Sequence, residues 1–146
     1  MTISLAGPDD AERLTEALVE LVPQLSRSNP PPSLEAVRAM LDHQAISQFL
    51  AVDGDGRIVG VATLAVFPIP TGNRAWVEDV IVDEAVNGQG IGRRLTEAML
   101  DRAADLGCVT VDLTSRPSRE AANALYKKVG FVERETNVYR KVLETE

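Results

Sequence analysis

The chain has 146 residues, of which 45% are hydrophobic and 25% are charged, and 22 acidic against 15 basic side chains give a formal net charge of −7. This composition excludes a disordered chain, and the negative charge argues against nucleic acid or an anionic membrane as a partner, since phosphate-rich partners need a basic surface. No apolar run approaches the roughly 20 residues of a membrane-spanning helix. A single cysteine excludes an internal disulfide and predicts a cytoplasmic protein, and the length predicts a single domain over residues 1–146.

The first third of the chain predicts one strand and two helices. Residues 2–6 are expected to form a short strand, and Pro8 with two aspartates is typical of a helix start. Three consecutive prolines end this helix, and Ser33 is the expected N-cap of the next one. The apolar residues that recur at helical spacing in the first helix are Ala11, Leu14, Leu18 and Leu21.

The remainder of the chain predicts a strand meander followed by strand-helix units. "SQFLAVD", "GRIVGVATLAVF" and "NRAWVEDVIVD" are strand-like, and the intervening "DGDG" predicts a hairpin. A helix from about Ile91 to Gly107, the strand "CVTVDLTS", the helix "SREAANALYKKVG" and two closing strands, "FVERE" and "NVYRKVL", follow. The order β-α-α-β-β-β-α-β-α-β-β predicts an α+β fold, with a mixed sheet of about seven strands and helices on both faces.

A glycine-rich turn, Asn87-Gly88-Gln89-Gly90-Ile91-Gly92, joins the third meander strand to the next helix. Such a turn points several unpaired N–H groups and the positive end of a helix dipole toward one place, which favours a bound phosphate. The turn lacks the Gly-Lys-Ser/Thr ending of the nucleotide triphosphatase loop and the third glycine of the dinucleotide fingerprint. The alternative is that these glycines only make a tight strand-to-helix connection.

A second cluster lies in the helix nearest the C-terminus. At about 100° per residue, Arg119, Asn123 and Tyr126 fall within roughly 60° of one another on that helix. This polar stripe is typical either of a ligand site or of an ordinary solvated surface.

With both clusters, the chain resembles the GNAT superfamily of N-acetyltransferases over most of residues 47–143. The superfamily's Arg/Gln-x-x-Gly-x-Gly/Ala motif aligns with residues 87–92, where both glycines match and Asn87 replaces the first residue. Its later A-x-x-L-Y-x-x-x-G-F motif aligns with residues 122–131. The resemblance implies acetyl-CoA as co-substrate, no metal, and a primary amine as the acceptor. We expect that amine on a small molecule, and the alternatives are a peptide N-terminus or a lysine. These folds often dimerise, so a homodimer is a further expectation.

The resemblance also implies how acetyl-CoA is held. Its pantetheine arm would lie between two splayed parallel strands, residues 76–82 and 108–114, and a backbone N–H near Val80 would polarise the thioester carbonyl. The diphosphate would bind the backbone amides of residues 88–93, while Arg119 and Asn123 would contact the pantetheine or the phosphates. The implied coenzyme-binding residues are Val80, Ile81, Val82, Asn87, Gly88, Gln89, Gly90, Ile91, Gly92, Arg93, Arg119 and Asn123.

Glu78 is the candidate catalytic base, which would take a proton from the attacking amine directly or through water. Strict alternation along the strand places Glu78 on one face with Trp76, Val80 and Val82, where we expect it to be partly buried. The alternative is that Glu78 pairs with a structural cation such as Arg74.

Tyr126 is the candidate catalytic acid. With the ordinary tyrosine pKa of about 10, its hydroxyl would protonate the departing thiolate. A non-catalytic acyl-CoA-binding sensor is the alternative function, and it would need the glycine-rich turn but neither Glu78 nor Tyr126.

Overall fold

The computed structural model describes residues 1–144, which divide into two compact units, Met1–Thr114 and the segment from Ser115 onward. Among these residues, no helix combines the length and the apolar composition that crossing a bilayer requires. The elements in chain order are β1 (Thr2–Leu5), a 3₁₀ helix (Pro8–Asp10), α1 (Ala11–Leu25), α2 (Leu34–Asp42), β2 (Ile46–Val52), β3 (Ile58–Ile69), β4 (Gly72–Val82), a second 3₁₀ helix (Glu84–Val86), α3 (Ile91–Asp105), β5 (Thr110–Asp112) and α4 (Glu120–Lys128).

The sheet of the first unit has the strand order β1-β2-β3-β4-β5, and only β4 and β5 run parallel. The predicted meander of β2, β3 and β4 is therefore confirmed. Pairing between β4 and β5 extends only from Arg74↔Thr110 to Trp76↔Asp112. Beyond Trp76, β4 has no strand partner on its β5 side among the residues that the structure describes.

Helices cover both faces of this sheet. On one face, α3 begins at Ile91 and packs an apolar stripe into a core with the strands. That stripe consists of Ile91, Leu95, Met99 and Ala103. On the other face, the predicted apolar positions of α1 are buried together with Val37 of α2 and with Leu50, Val61 and Ile81 of the sheet. The helical spacing in the sequence thus identified the buried side of α1 correctly.

The prediction of about seven strands is wrong, because five strands form in residues 1–144 and the order of elements ends after α4. The two expected closing strands, within residues 131–143, have no regular secondary structure. A strand needs a hydrogen-bonded neighbour and normally a buried face. Here the apolar side chains that follow Phe131 are exposed: Val132, Val138, Tyr139, Val142 and Leu143.

Candidate active site

The glycine-rich turn has an open backbone geometry that suits an anion. Gly88 and Gly90 have φ values of +81° and +75°, in the left-handed region that favours glycine, and Gly90 is the N-cap of α3. A Cβ added at either position would meet no atom within 4 Å. The backbone N–H groups of residues 88–93 find no acceptor within residues 1–144. These amides are therefore available for hydrogen bonds to an anion at the positive end of the helix dipole.

Packing on both sides holds this turn against the sheet. Ile91 is 3% exposed, and its Cγ2 lies 3.3 Å from the place where a Cβ on Gly60 would be. Gly60 thus allows the first residue of α3 to pack directly on β3. Before the turn, Asp83 accepts a hydrogen bond from the Ala85 N–H at 3.1 Å and lies 3.6 Å from the Arg57 guanidinium. The backbone amides of residues 88–93 therefore belong to a turn whose two ends are fixed.

The two arginines that follow the turn already have partners. The Arg93 Nε donates to Glu97 Oε1 at 2.8 Å, and the Arg94 Nη1 donates to the Met1 carbonyl oxygen at 3.2 Å. Asn87 and Gln89 are exposed. The capacity of the turn to bind an anion therefore depends mainly on its backbone amides.

A β-bulge interrupts β4 beside its open edge. The register between β3 and β4 shifts just after the pair Thr63↔Glu78. Asp79 and Val80 consequently lie opposite a single residue of β3, and Asp79 has a φ of +46°. A bulge bends its strand and increases the local twist. Because pairing with β5 has already ended at Trp76, the backbone that follows the bulge has no strand partner on that side within residues 1–144.

The bulge changes which side chains of β4 share a face. Trp76 and Glu78 lie on one face, but the extra residue places Val80 and Val82 on the opposite face, against the core that contains α3. Ile81 takes their place on the face of Glu78, in the core beneath α1 and α2. The expectation that Glu78 shares a face with Val80 and Val82 is therefore wrong, since strict alternation fails at a bulge.

The Glu78 side chain is exposed, so the expected partial burial is wrong. Within residues 1–144 its carboxylate has no ion-pair or hydrogen-bond partner. Arg74, the structural cation considered from the sequence, instead donates to Thr71 Oγ1 at 2.8 Å and to Thr110 Oγ1 at 3.5 Å. In the same part of the chain, no group of three or more His, Cys, Asp or Glu side chains could hold a metal ion.

Glu78 ends a polar row that crosses three strands on one face of the sheet. It pairs with Thr63 of β3, which pairs in turn with Gln48 of β2. The Thr63 hydroxyl donates to Gln48 Oε1 at 2.7 Å, and Gln48, which is 4% exposed, donates through Nε2 to the Ala62 carbonyl at 3.1 Å. Sequence reasoning missed Thr63 and Gln48, although a threonine and a glutamine within apolar strand sequences were a usable signal.

Apolar rows lie on either side of the polar row. The row toward the core beneath α1 and α2 is Leu50, Val61 and Ile81. The row on the other side is Ile46, Ala65 and Trp76. These three side chains are half-buried and belong to neither core. A partly open apolar surface therefore lies next to the Glu78 carboxylate.

The second unit holds the remaining predicted site residues. Tyr126 on α4 is 8% exposed, and its ring meets Phe131 edge-on with centroids 5.7 Å apart. Burial raises the pKa of the Tyr126 hydroxyl, against an opposing effect of the Arg119 charge. The hydroxyl is thus a weaker acid than expected from the sequence, and it stays protonated at neutral pH. Arg119 is exposed at the N-cap of α4, and Asn123 donates to the Arg116 carbonyl at 2.9 Å.

The sequence is similar to those of known acetyltransferases. Residues 14–131 match the model of the Acetyltransferase (GNAT) family. The chain is 31% identical over 136 residues to glucosamine 6-phosphate N-acetyltransferase 1 of Oryza sativa subsp. japonica, and the aligned region covers 87% of this chain and 80% of that protein. It is 29% identical over 125 residues to the IAA acetyltransferase of Azospirillum brasilense, with 83% of this chain and 80% of that protein covered.

Solved acetyltransferase structures have a similar fold. A Trypanosoma brucei acetyltransferase matches with a TM-score of 0.77 and 26% identity, covering 97% of this chain and 99% of that one. An aminoglycoside acetyltransferase from an uncultured soil metagenomic sample matches with a TM-score of 0.86 over 98% of this chain and 96% of that one; at 20% identity, this likeness concerns the fold alone. The family model and these relatives all span most of the chain. The chain therefore belongs to the GNAT family of N-acetyltransferases, which use acetyl-CoA as co-substrate.

Proposed function

We propose that this protein transfers the acetyl group of acetyl-CoA to a primary amine on a small molecule, by direct attack of the amine on the thioester. The observation that carries the proposal is the set of backbone amides at residues 88–93 that find no acceptor within residues 1–144. Relatives named for glucosamine 6-phosphate and for spermine or spermidine support a small amine as acceptor. We also propose, from the sequence and the resemblance, a single domain over residues 1–146, a cytoplasmic location and a homodimer.

In this proposal, backbone groups hold the coenzyme. The diphosphate accepts hydrogen bonds from the amides of residues 88–93, and the pantetheine arm pairs with the backbone of Val80, Ile81 and Val82. The absence of a strand partner for β4 beyond Trp76 on its β5 side, within the described part of the chain, supports this pairing. The Val80 and Val82 side chains pack in the core that contains α3, which fixes their backbone. An N–H near Val80 polarises the thioester carbonyl.

Glu78 is the proposed base. The amine attacks in its neutral form, so a nitrogen that arrives as ammonium first loses one proton. Its C–N bond to the acetyl carbon then forms as the C–S bond breaks, the nitrogen loses another proton, and the thiolate gains one. The Glu78 carboxylate is exposed and has no ion-pair partner within residues 1–144, so it is available to take the first proton, directly or through water. Tyr126 is proposed from the resemblance as the donor of the proton that the departing thiolate gains.

Tyr126→Phe is expected to lower kcat by about 10- to 100-fold and to leave acetyl-CoA affinity nearly unchanged, because it removes only a proton donor. Since burial raises the pKa of Tyr126 above the ordinary tyrosine value of 10.0, the protonated donor persists at neutral pH and is lost only at a pH more alkaline than that value. The wild-type rate should therefore fall above that pH, and the variant should lack this fall. Steady-state kinetics and coenzyme titrations across this pH range measure both effects. An unchanged kcat would remove the acid role, and phenylalanine keeps the ring that meets Phe131.

Thiol release from acetyl-CoA tests the proposed function directly. The panel contains glucosamine 6-phosphate, spermidine, aminoglycosides, amino acids and short peptides, and mass spectrometry identifies the acetylated product. At least one small primary amine should release thiol faster than acetyl-CoA hydrolyses alone. Binding of acetyl-CoA without thiol release across the panel would favour the non-catalytic acyl-CoA-binding sensor. Release with peptides alone would contradict a small-molecule acceptor.

A further inference from the structure

We infer that Thr63 is a specificity-determining residue for the acceptor. The Thr63 hydroxyl donates its own proton to Gln48. Its oxygen therefore accepts a hydrogen bond from the primary ammonium group of the molecule to be acetylated, beside the Glu78 carboxylate. The inference rests on the proposed function, because it concerns recognition of the amine at that same site.

The surroundings of Gln48 determine the direction of its hydrogen bonds. Its Nε2 lies 3.1 Å from the Ala62 carbonyl oxygen and 3.4 Å from the Phe49 carbonyl oxygen. Carbonyl oxygens only accept hydrogen bonds, so the amide must present its NH₂ end to them and its Oε1 end to Thr63. The Thr63 hydroxyl must then donate its single proton to Oε1, at 2.7 Å. Toward any further partner, Thr63 can only accept.

Thr63 and Glu78 therefore form a pair of neighbouring hydrogen-bond acceptors with no free hydrogen-bond donor. They are directly opposed in the register of β3 and β4, and such pairs place their Cβ atoms about 4.5–5.5 Å apart on one face. Thr63 is half-buried and Glu78 is exposed. A primary ammonium group, with three N–H donors, satisfies both oxygens, whereas a carboxylate or a phosphate would find only repulsion.

The adjacent apolar row of Ile46, Ala65 and Trp76 determines what surrounds the nitrogen of a bound amine. Trp76 lies two residues from Glu78 on the same face, half-buried and outside both cores. An indole ring attracts a cation and covers methylene groups. The net charge of −7 also favours a cationic ligand. The ligand class is thus an aliphatic primary amine with no acidic group beside its nitrogen.

Calorimetric titration with spermidine in the presence of coenzyme A tests the inference without turnover. Thr63→Val keeps the shape of the side chain and removes the acceptor oxygen, so spermidine should bind about 10-fold more weakly. Thr63→Ser keeps the hydroxyl and should retain the affinity. Thr2→Val makes the same change on β1 and should have no effect. The affinity for coenzyme A, titrated separately, should be unchanged in all three variants.

Wild-type affinity in Thr63→Val, or an equal loss in Thr63→Ser or Thr2→Val, would overturn the inference. Failure of the wild-type protein to bind spermidine would also overturn the inference. Thiol release across the amine panel tests the proposed function separately. Should Thr63→Val fail to fold, Gln48→Met replaces it, since losing Oε1 frees the Thr63 proton to bond with Glu78. That variant should also bind spermidine about 10-fold more weakly, and unchanged affinity would contradict the inference.

Discussion

Gly90→Asp is expected to weaken acetyl-CoA binding by at least about 100-fold. Gly90 is the N-cap of α3, where an aspartate side chain would accept hydrogen bonds from the amides that we assign to the diphosphate. The same carboxylate would repel the phosphate charges. Calorimetric titration with acetyl-CoA measures the loss.

The matched control is Gly56→Asp, in the hairpin turn between β2 and β3. Gly56 has a φ of +82°, close to the +75° of Gly90, and a Cβ at either position meets no atom within 4 Å. Both variants therefore carry the same added charge and a similar backbone strain of roughly 1–3 kcal/mol. Only Gly90→Asp should lose coenzyme affinity. Equal losses in the two variants, or no loss in either, would contradict the role of the turn.

Glu78→Gln is expected to lower kcat by about 100-fold or more, the usual contribution of a positioned general base. The amide cannot accept the amine proton, so proton removal from the amine should slow. Acetyl-CoA affinity should be retained, because the coenzyme is held by backbone groups at other positions. Steady-state kinetics with the best acceptor amine measure the fall in kcat, and calorimetric titration measures the acetyl-CoA affinity.

Asp79→Asn is the matched control for Glu78→Gln. It removes the same charge from the adjacent residue, which is also exposed. The φ of +46° at Asp79 is one that asparagine tolerates well. A comparable fall in kcat in this variant would show that the local negative charge matters rather than a base at Glu78. An unaltered kcat in Glu78→Gln would assign proton removal to another group.

Local signals in the sequence predicted most elements of the first unit. Ser33 accepts the predicted cap hydrogen bond from the Ala36 N–H at 3.1 Å, and α3 begins at Ile91 as expected. Caps, helical spacing and turn glycines act over a few residues, so one short stretch contains the whole signal. For the same reason, the unpaired backbone N–H groups of the glycine-rich turn could be predicted.

The exact register and side-chain contacts between paired segments were not predicted. Nothing within "VEDVIV" marks the bulge after Glu78, because a bulge is defined by the register with β3. The bond between Thr63 and Gln48 becomes visible only when β2 and β3 lie side by side. The sequence of residues 131–143 predicted two closing strands, but it did not supply a partner strand or a buried face.

A crystal structure of the protein with acetyl-CoA tests the central claim most directly. The claim predicts diphosphate oxygens within about 3.2 Å of backbone nitrogens among residues 88–93, with the pantetheine arm along β4 beyond Trp76. A diphosphate bound elsewhere, with those amides contacting only solvent, would contradict it.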